Sequence, residues 1–272
     1  MQSRFSTAAR FPNPAVVIPI AALGIITILG WWLTDAIAQD PAYHLFADQR
    51  MLAGLPHARD VLSNLPFCLA GLLGIFAILK KPSLAQGFNT MYLVFFAAML
   101  ATGLGSAYYH LAPDNQTLVW DRLPMAVGFM SMFAIIIGER LGPQLGRGLF
   151  PWLLAAGIYS VIYWHWQDDL RPYALVQFGT LLALPLILLI RRRPDSGLLW
   201  LAIGFYLLAK IFEAGDAQIY ALTSHWISGH SLKHLAASVT PLLILLRLSR
   251  ADNDNHEATA AGHAAVKPET SS

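Results

Sequence analysis

The stretch Thr90–Tyr109 reads TMYLVFFAAMLATGLGSAYY and contains no charged side chain. A run of roughly 17–25 apolar residues is long enough for a helix to cross the hydrocarbon core of a bilayer. The run lacks the strict alternation of apolar and polar residues that a half-buried strand shows, so its pattern favours a helix. This stretch therefore predicts a membrane-spanning helix.

The composition of the chain agrees with that prediction. Of its 272 residues, 56% are hydrophobic and only 12% are charged, and the mean hydropathy is +0.51. Soluble domains carry about 25% charged residues, so this chain cannot cover itself with polar surface. In lipid the backbone polar groups must be satisfied internally, here within helices. The single cysteine, Cys68, excludes an intrachain disulfide or a thiolate cluster, and we interpret it as a packing residue.

Seven further runs meet the same length criterion, so we predict an all-α integral membrane protein with about eight spans. The predicted spans are Ala15–Ala38, Val61–Leu79, Thr90–Tyr109, Leu118–Gly138, Leu149–Trp166, Tyr173–Ile190, Gly197–Leu222 and Gly229–Leu248. Residues 249–272 are polar and small, which predicts a disordered tail. The first span has an alternative interpretation, because Ala36-Ile37-Ala38 also resembles the cleavage site of a signal peptide. We expect a retained helix there.

The positive charges of the short loops predict the orientation, because cytoplasmic loops carry an excess of Lys and Arg. With a cytoplasmic N-terminus, twelve of these residues lie on the cytoplasmic side. They are Arg4, Arg10, Lys80, Lys81, Arg140, Arg147, Arg191, Arg192, Arg193, Arg247, Arg250 and Lys267. Arg50, Arg59 and Arg171 fall on the opposite side. We expect a multi-pass protein of the plasma (inner) membrane.

Polar residues inside spans are costly, so each is a functional candidate. Ser106 and His110 are four residues apart at the end of one span, which places them on the same helix face. Asp121 follows at the start of the next span, after a short loop. His230 and His234 have the i, i+4 spacing that lets two imidazoles reach one metal ion. The orientation places all of these residues at the non-cytoplasmic face of the membrane.

Three histidines with an open fourth position are typical of catalytic zinc, so His110, His230 and His234 predict a site for a zinc ion (Zn²⁺). An aspartate that is not a ligand can move protons, and a hydroxyl can donate to a developing oxyanion. Asp121 and Ser106 are the candidates for these two roles, for hydrolysis of an amide or an ester. Asp121 could instead cap its helix, and Ser106 could bond to its own helix backbone.

Other polar residues are open to several interpretations. Lys210, Glu213 and Asp216 share one broad helix face, where they could form an ion-pair network supporting the site or a proton path. A second group could cap a helix, line the site or help to bind a second ion: His57, Asp60, Ser63 and Asn64. A third group lies on a loop that we expect to be mainly solvated: His165, Asp168, Asp169 and Arg171. We interpret the tryptophans, including Trp120 and Trp164, as anchors at the membrane interface.

The pattern S-x3-H, an Asp eleven residues after that His, and H-x3-H near the C-terminus resembles the alkaline ceramidases. They belong to a superfamily of seven-helix membrane hydrolases that also contains the progestin and adiponectin receptors and the haemolysin III proteins. The runs YYHLAPDNQTLVWDRLPM and SGHSLKHLAA also resemble bacterial proteins grouped with alkaline phytoceramidase. The resemblance covers roughly Tyr43–Leu248. It implies a seven-helix ceramidase-like domain over residues 39–248, preceded by a cytoplasmic segment (1–14) and an extra helix (15–38).

Carried over to this sequence, the resemblance implies zinc ligation by His110, His230 and His234, acid–base catalysis by Asp121 and an oxyanion or water contact from Ser106. The implied substrate is a ceramide-type membrane lipid, cut to a sphingoid base and a fatty acid. The acidic stretch Asp-Trp-x-Glu-x-Asn of eukaryotic ceramidases does not occur in Gln39–Arg59, so the resemblance does not extend to calcium.

Two alternatives to the enzyme remain: a receptor-like lipid-binding protein with little turnover, or a transporter that uses Lys210, Glu213 and Asp216. The very short cytoplasmic loops favour an enzyme, and a transporter predicts an internal repeat that the sequence does not show. We expect the bilayer and a lipid substrate as partners and no nucleic acid. The oligomeric state stays open.

Overall fold

The computed structural model describes Gly24 and the backbone of residues 29–265, with side chains as far as residue 253. Most of the predicted first span, Ala15–Ala38, lies outside the described residues. The remaining seven predicted spans are confirmed as seven helices that are long and apolar enough to cross a membrane. The protein is therefore a multi-pass membrane protein.

We number these helices α1 to α7 in chain order. Their bounds are α1 Ala58–Lys80, α2 Asn89–Leu111, α3 Asn115–Arg140, α4 Pro143–Gln167, α5 Arg171–Ile190, α6 Pro194–Ala214 and α7 Gly229–Ala265. Helix α1 is interrupted between Leu62 and Leu65, and a π-helical turn occupies Leu175–Gly179 of α5. A short helix, Asp216–Leu222, follows α6. The predicted seventh span therefore divides into two helices at Gly215.

The helices pack mainly on their neighbours in sequence. Helix α2 lies between α1 and α3, and α3 also contacts α4 and α5. Helix α7 closes the bundle by packing on both α6 and α1. Helices α5 and α6 meet through few direct contacts, one of which is a hydrogen bond from Gln177 Nε2 to Tyr206 Oη (2.6 Å). This sparse contact leaves room for an internal cavity.

The outer surface of the bundle is apolar. On α1, for example, Leu69, Leu72, Leu73 and Phe76 are all more than half exposed. A contiguous apolar surface of this kind is unfavourable in water, whereas in a bilayer it faces lipid. The tryptophans divide between two environments. Trp120 is exposed, as the interfacial interpretation predicts, but Trp164 is 1% exposed. The interpretation of Trp164 as an anchor was therefore wrong, because this residue packs inside the bundle.

Local sequence signals set the start of α3, which carries Asp121. The Asp114 side chain accepts from the backbone N–H of Thr117 (2.7 Å), and the Thr117 hydroxyl accepts from the Asp114 N–H (3.1 Å). This reciprocal pair is a capping box. Gly105 of α2 then allows a close approach, since a Cβ there would lie 2.0 Å from the Trp120 carbonyl oxygen. The crossing brings Ser106 of α2 next to Asp121 of α3.

The expectations for one loop and for the C-terminal tail differ from the structure. Asp169 is 2% exposed and pairs with Arg171 (2.7 Å), while its Oδ1 accepts from the Ile37 N–H (3.3 Å). The expectation of a mainly solvated loop was wrong for Asp169, because the segment before the bundle covers it. Helix α7 continues to Ala265, where the sequence predicts a disordered tail from residue 249. Alanine and glutamate favour helix, which accounts for the continuation.

Candidate metal centre

The three predicted ligands come together in a buried cluster. His110 ends α2, and His230 and His234 lie in the first turns of α7. Their ligand atoms all lie within 4.8 Å of one another, and each residue is at most 4% exposed. Residues that are more than a hundred positions apart in sequence thus form one group.

The start of α7 is fixed by two contacts. A Cβ on Gly229 would lie 2.3 Å from the Phe212 carbonyl oxygen, so only glycine lets α7 begin this close to α6. The Asp216 carboxylate accepts from the backbone N–H of His230 (2.7 Å) and from the N–H of Ala47 (2.9 Å). Asp216 therefore anchors the ligand-bearing turn, whereas the sequence interpretation placed it in an ion-pair network.

The donor set fits a zinc ion. The Nε2 atoms of His110 and His230 are 3.2 Å apart. Two nitrogens at the usual zinc–nitrogen distance of about 2.0–2.1 Å on a tetrahedral ion lie about 3.3 Å from each other. His110 Nδ1 is a buried atom without a hydrogen-bond partner, so no protein contact at this atom fixes which nitrogen of the imidazole carries the proton. Three buried, mutually facing imidazoles suit a borderline divalent metal.

The third imidazole is oriented by α1. Ser63 Oγ lies 2.8 Å from His234 Nδ1 and donates to the Asp60 carbonyl (2.9 Å). The Asn64 amide nitrogen is also near, at 3.3 Å from the same His234 atom. With Nδ1 held by Ser63, His234 Nε2 is free for a metal, which is the usual arrangement for a ligating histidine. Among the alternatives for Ser63 and Asn64, lining the site is confirmed.

Asp60 belongs to the support of the site rather than to the histidine cluster. Its Oδ1 accepts from the hydroxyls of Ser231 (2.5 Å) and Ser228 (3.3 Å). These bonds tie the start of α1 to the start of α7. His57 lies farther out, where its Nδ1 is 3.3 Å from the Asp48 carbonyl oxygen. In the described part of the chain, no second group of three or more His, Cys, Asp or Glu side chains is placed to hold a metal ion.

An aromatic side chain covers the histidines. The Phe46 ring centroid lies 4.6 Å from that of His110 and 4.3 Å from that of His230, and Phe46 is 5% exposed. The Tyr109 hydroxyl next to this ring lies 2.8 Å from His44 Nδ1. The segment before α1 therefore shields the cluster from bulk water.

A buried ion-pair cluster flanks His230. Lys233 Nζ lies 2.9 Å from Glu213 Oε1 and 3.3 Å from His230 Nε2, and Lys210 pairs with the same Glu213 carboxylate. The predicted network is thus confirmed for Lys210 and Glu213. Its third member is Lys233, which lies between the two histidines of α7. Sequence spacing did not single out Lys233, although its position within H-x3-H was a signal.

Ser106 and Asp121 line a cavity next to the cluster. The cavity has a volume of about 350 Å³ and also reaches His234 and Lys233. Ser106 lies close to the Asp121 carboxylate, and both residues are buried. Tyr43 closes the polar end, where burial and the nearby Glu213 carboxylate raise the pKa of Tyr43. The remaining walls are mostly apolar side chains of α2, α3, α5, α6 and α7, so the cavity suits an acyl chain.

Comparison with protein families identifies the bundle. Residues 58–197, more than half of the chain, match the family model described as Ceramidase. The chain belongs to the ceramidase family. A search of the curated proteins finds no match to this chain.

The family match and the geometry cover different parts of the site. The match contains Ser106, His110 and Asp121 but ends before His230 and His234. The packing of α7 against α1 and α6 brings these two histidines next to His110 of the matched region. Family membership supports hydrolysis of a lipid substrate, and the histidine cluster independently supports a metal ion.

Three contributors to the site were missed from sequence. Phe46, Lys233 and Ser231 each contact a histidine or its support, yet each reads as an ordinary packing or surface residue. The contacts of Phe46 and Ser231 join α7 with segments far away in the chain, so no local spacing could reveal them, whereas the place of Lys233 between His230 and His234 was a local signal.

Proposed function

We propose that this protein is a zinc-dependent hydrolase that cleaves the amide bond of ceramide-type lipids to a sphingoid base and a fatty acid. The observation that carries this proposal is the buried cluster of three histidines beside an apolar cavity that is lined by His234, Ser106 and Asp121. Membership of the ceramidase family supports the choice of an amide over an ester.

In this proposal His110, His230 and His234 hold the zinc ion. Zinc supplies Lewis acidity, which polarises a carbonyl and lowers the pKa of water. Ser63 accepts a hydrogen bond from His234 Nδ1 and so holds the ring with Nε2 facing the cluster. Phe46 keeps bulk water away from the imidazoles, so the charges in the site act in a medium of low dielectric constant.

Asp121 acts as the base and then the acid. Its carboxylate takes a proton from the attacking water, whose oxygen bonds to the amide carbon. Ser106 donates a hydrogen bond to the carbonyl oxygen as negative charge develops there. The carbon–nitrogen bond then breaks, and the proton held by Asp121 passes to the departing amine. The products are the fatty acid and the free sphingoid base.

The lipid enters from the bilayer, where ceramide resides. The sparse contact between α5 and α6 places an apolar cavity wall next to the hydrocarbon core. The positive charges of the short loops favour an active site at the non-cytoplasmic face of the plasma (inner) membrane.

The test is purified full-length protein of measured zinc content, incubated in mixed micelles with ceramides of several acyl-chain lengths. Released fatty acid is the readout. We expect turnover by the wild type and by His165→Ala, which removes an exposed histidine, and none by His230→Ala. Absence of fatty acid from the wild type for every chain length would contradict the hydrolase. Tight ceramide binding without release would favour the receptor-like alternative. Equal turnover by wild type and His230→Ala would contradict the metal mechanism.

A further inference from the structure

A buried arginine in the cavity wall forms no ion pair within the described part of the chain. Arg122 follows Asp121 on α3 and is 5% exposed. Its Nη1 atom is buried without a hydrogen-bond partner, and it forms no ion pair with any carboxylate in the described part of the chain. A charge removed from water is costly unless it is paired and hydrogen-bonded. The position of Arg122 therefore needs an explanation.

Three aromatic rings surround the guanidinium. Its carbon Cζ lies 4.2 Å from the ring centroid of Trp164, 4.9 Å from that of Tyr173 and 5.3 Å from that of Tyr43. Cation–π attraction of this kind offsets part of the lost hydration. The guanidinium N–H groups point outward in the plane of the guanidinium, and the aromatic rings do not accept hydrogen bonds there. These donors therefore remain available to a ligand.

The cavity wall carries an excess of positive charge. Arg122, Lys210 and Lys233 line it as cations, and Asp121 and Glu213 line it as carboxylates. Both lysines pair with Glu213, whereas Arg122 pairs with neither carboxylate. The rest of the lining is mostly apolar. An amphiphile with an acyl chain and one anionic group complements this combination.

We propose that Arg122 binds the carboxylate of an acyl lipid in this cavity. The inference deepens the proposed hydrolase function and rests on it, because it assigns lipid recognition to the same site. The planar guanidinium matches a carboxylate through two parallel hydrogen bonds. Two sources supply this group: an N-acyl amino acid, whose amine half carries the carboxylate, or the fatty acid that amide cleavage releases.

The test measures binding and not turnover. Full-length protein in detergent is first treated with a chelator, so that no metal ion can coordinate the carboxylate of the ligand. It is then titrated with four ligands by calorimetry. The acids are N-dodecanoylglycine and dodecanoic acid, and their neutral partners are N-dodecanoylethanolamine and dodecanamide. We expect at least one acid to bind about tenfold or more tightly than its neutral partner, as a charge-assisted hydrogen bond provides.

Three variants separate the charge from the packing. Arg122→Met should reduce the affinity for the acid to that for its neutral partner, and Arg122→Lys should retain part of the preference. Arg147→Met is the matched control, because Arg147 lies over the Phe88 ring (5.4 Å) away from the cavity. This control should bind as the wild type does.

The outcomes are distinct. If N-dodecanoylglycine binds more tightly than its neutral partner, the carboxylate that Arg122 binds belongs to the amine half of the substrate. If only dodecanoic acid binds more tightly than its neutral partner, that carboxylate belongs to the released fatty acid. Equal binding of acids and neutral partners by the wild type would overturn the proposal, even if Arg122→Met fails to fold. If binding depends on Arg122 but ceramide is not hydrolysed, the proposed function fails while the assignment of Arg122 as a carboxylate-binding residue survives.

Discussion

The two ends of the helical bundle hold their polar side chains in different ways. At one end Arg247 pairs with Glu139 (2.7 Å) and Asp195 (2.5 Å), and Arg140 also pairs with Asp195 (3.0 Å). We call these four residues the ion network. At the other end the ligand atoms of three imidazoles lie within 4.8 Å of one another, and Arg122, whose Nη1 atom is buried without a hydrogen-bond partner, forms no ion pair among the described residues.

The difference indicates which end stabilises the fold and which binds ligands. In the ion network every carboxylate faces a guanidinium, and the Tyr92 hydroxyl donates to Glu139 (2.7 Å). At the histidine end, His110 Nδ1 and Arg122 Nη1 are buried without a hydrogen-bond partner. Buried nitrogens without a hydrogen-bond partner occur at both ends, including Arg140 Nε and Nη1 and Arg247 Nε in the ion network, although buried polar groups are normally satisfied. The histidine end differs because its three imidazoles face one another and its buried guanidinium forms no ion pair among the described residues. Substitutions at the two ends should therefore affect different measurements.

The largest effect is expected from Asp121→Asn. The amide keeps the shape of the side chain but cannot take a proton, so fatty-acid release should fall about 10²–10⁴-fold. Zinc content and thermal stability should stay close to those of the wild type. Asp114→Asn on the same helix is the matched control, because asparagine caps a helix as well as aspartate does. Equal turnover by both variants would remove Asp121 from the reaction.

The next effect concerns the ion network. Arg247→Met leaves Glu139 without its guanidinium in a buried position, which should cost about 3–5 kcal/mol of stability. The measurement is thermal or denaturant unfolding in detergent, with zinc content and turnover per folded molecule expected to be unchanged. The exposed Arg250 on the same helix is the control, since surface substitutions usually change stability by less than about 0.5 kcal/mol. Loss of zinc in Arg247→Met would show that the two ends are not independent.

A smaller effect is expected from Ser63→Ala, which removes the hydrogen bond to His234 Nδ1. Loss of such a support typically lowers metal affinity about 10–100-fold. Competition with a chelator measures the affinity. Ser238→Ala on α7 is matched, because the Ser238 hydroxyl bonds only to the Leu235 carbonyl of its own helix (2.8 Å). An unchanged affinity in Ser63→Ala would contradict the orienting role.

The smallest effect concerns pH and the loop before α1. Burial alone would raise the pKa of Asp48, but the hydrogen bonds and charge of Arg50 outweigh it and lower the pKa below its ordinary value. A carboxyl group whose pKa is lower in the folded state stabilises the fold at pH values above its unfolded-state pKa of about 4. This stability is lost as the pH falls through the pKa of the folded state. Asp48→Asn should be less stable than wild type at neutral pH, and the gap should close in acid. A gap of constant size would contradict this account.

The sequence predicts the spans because each is a single local run of apolar residues. Thr90–Tyr109 needs no distant partner to be recognised, and the structure extends it only to Asn89–Leu111. The prediction is less accurate where tertiary contacts decide the outcome. Asp169 and Trp164 are buried by segments that are distant in sequence, and the last helix continues into a tail that looks polar.

The candidate site was predictable to the extent that its residues repeat at helical spacing. Ser106 with His110, and His230 with His234, each lie four residues apart, so one helix face carries each pair. The loop charges brought the two pairs to one membrane face, but they could not show which neighbours support them. Phe46, Ser63 and Lys233 act through contacts across the bundle, which only the packing of α7 against α1 and α6 creates.

The central claim is that His110, His230 and His234 together hold a zinc ion. X-ray absorption at the zinc edge of purified full-length protein tests it most directly, combined with the metal content per chain. We predict one zinc ion per chain with three imidazole nitrogens at about 2.0–2.1 Å, lost in His234→Ala and retained in His165→Ala. A protein that holds no zinc after loading, or whose zinc signal is the same in His234→Ala as in the wild type, would contradict the account.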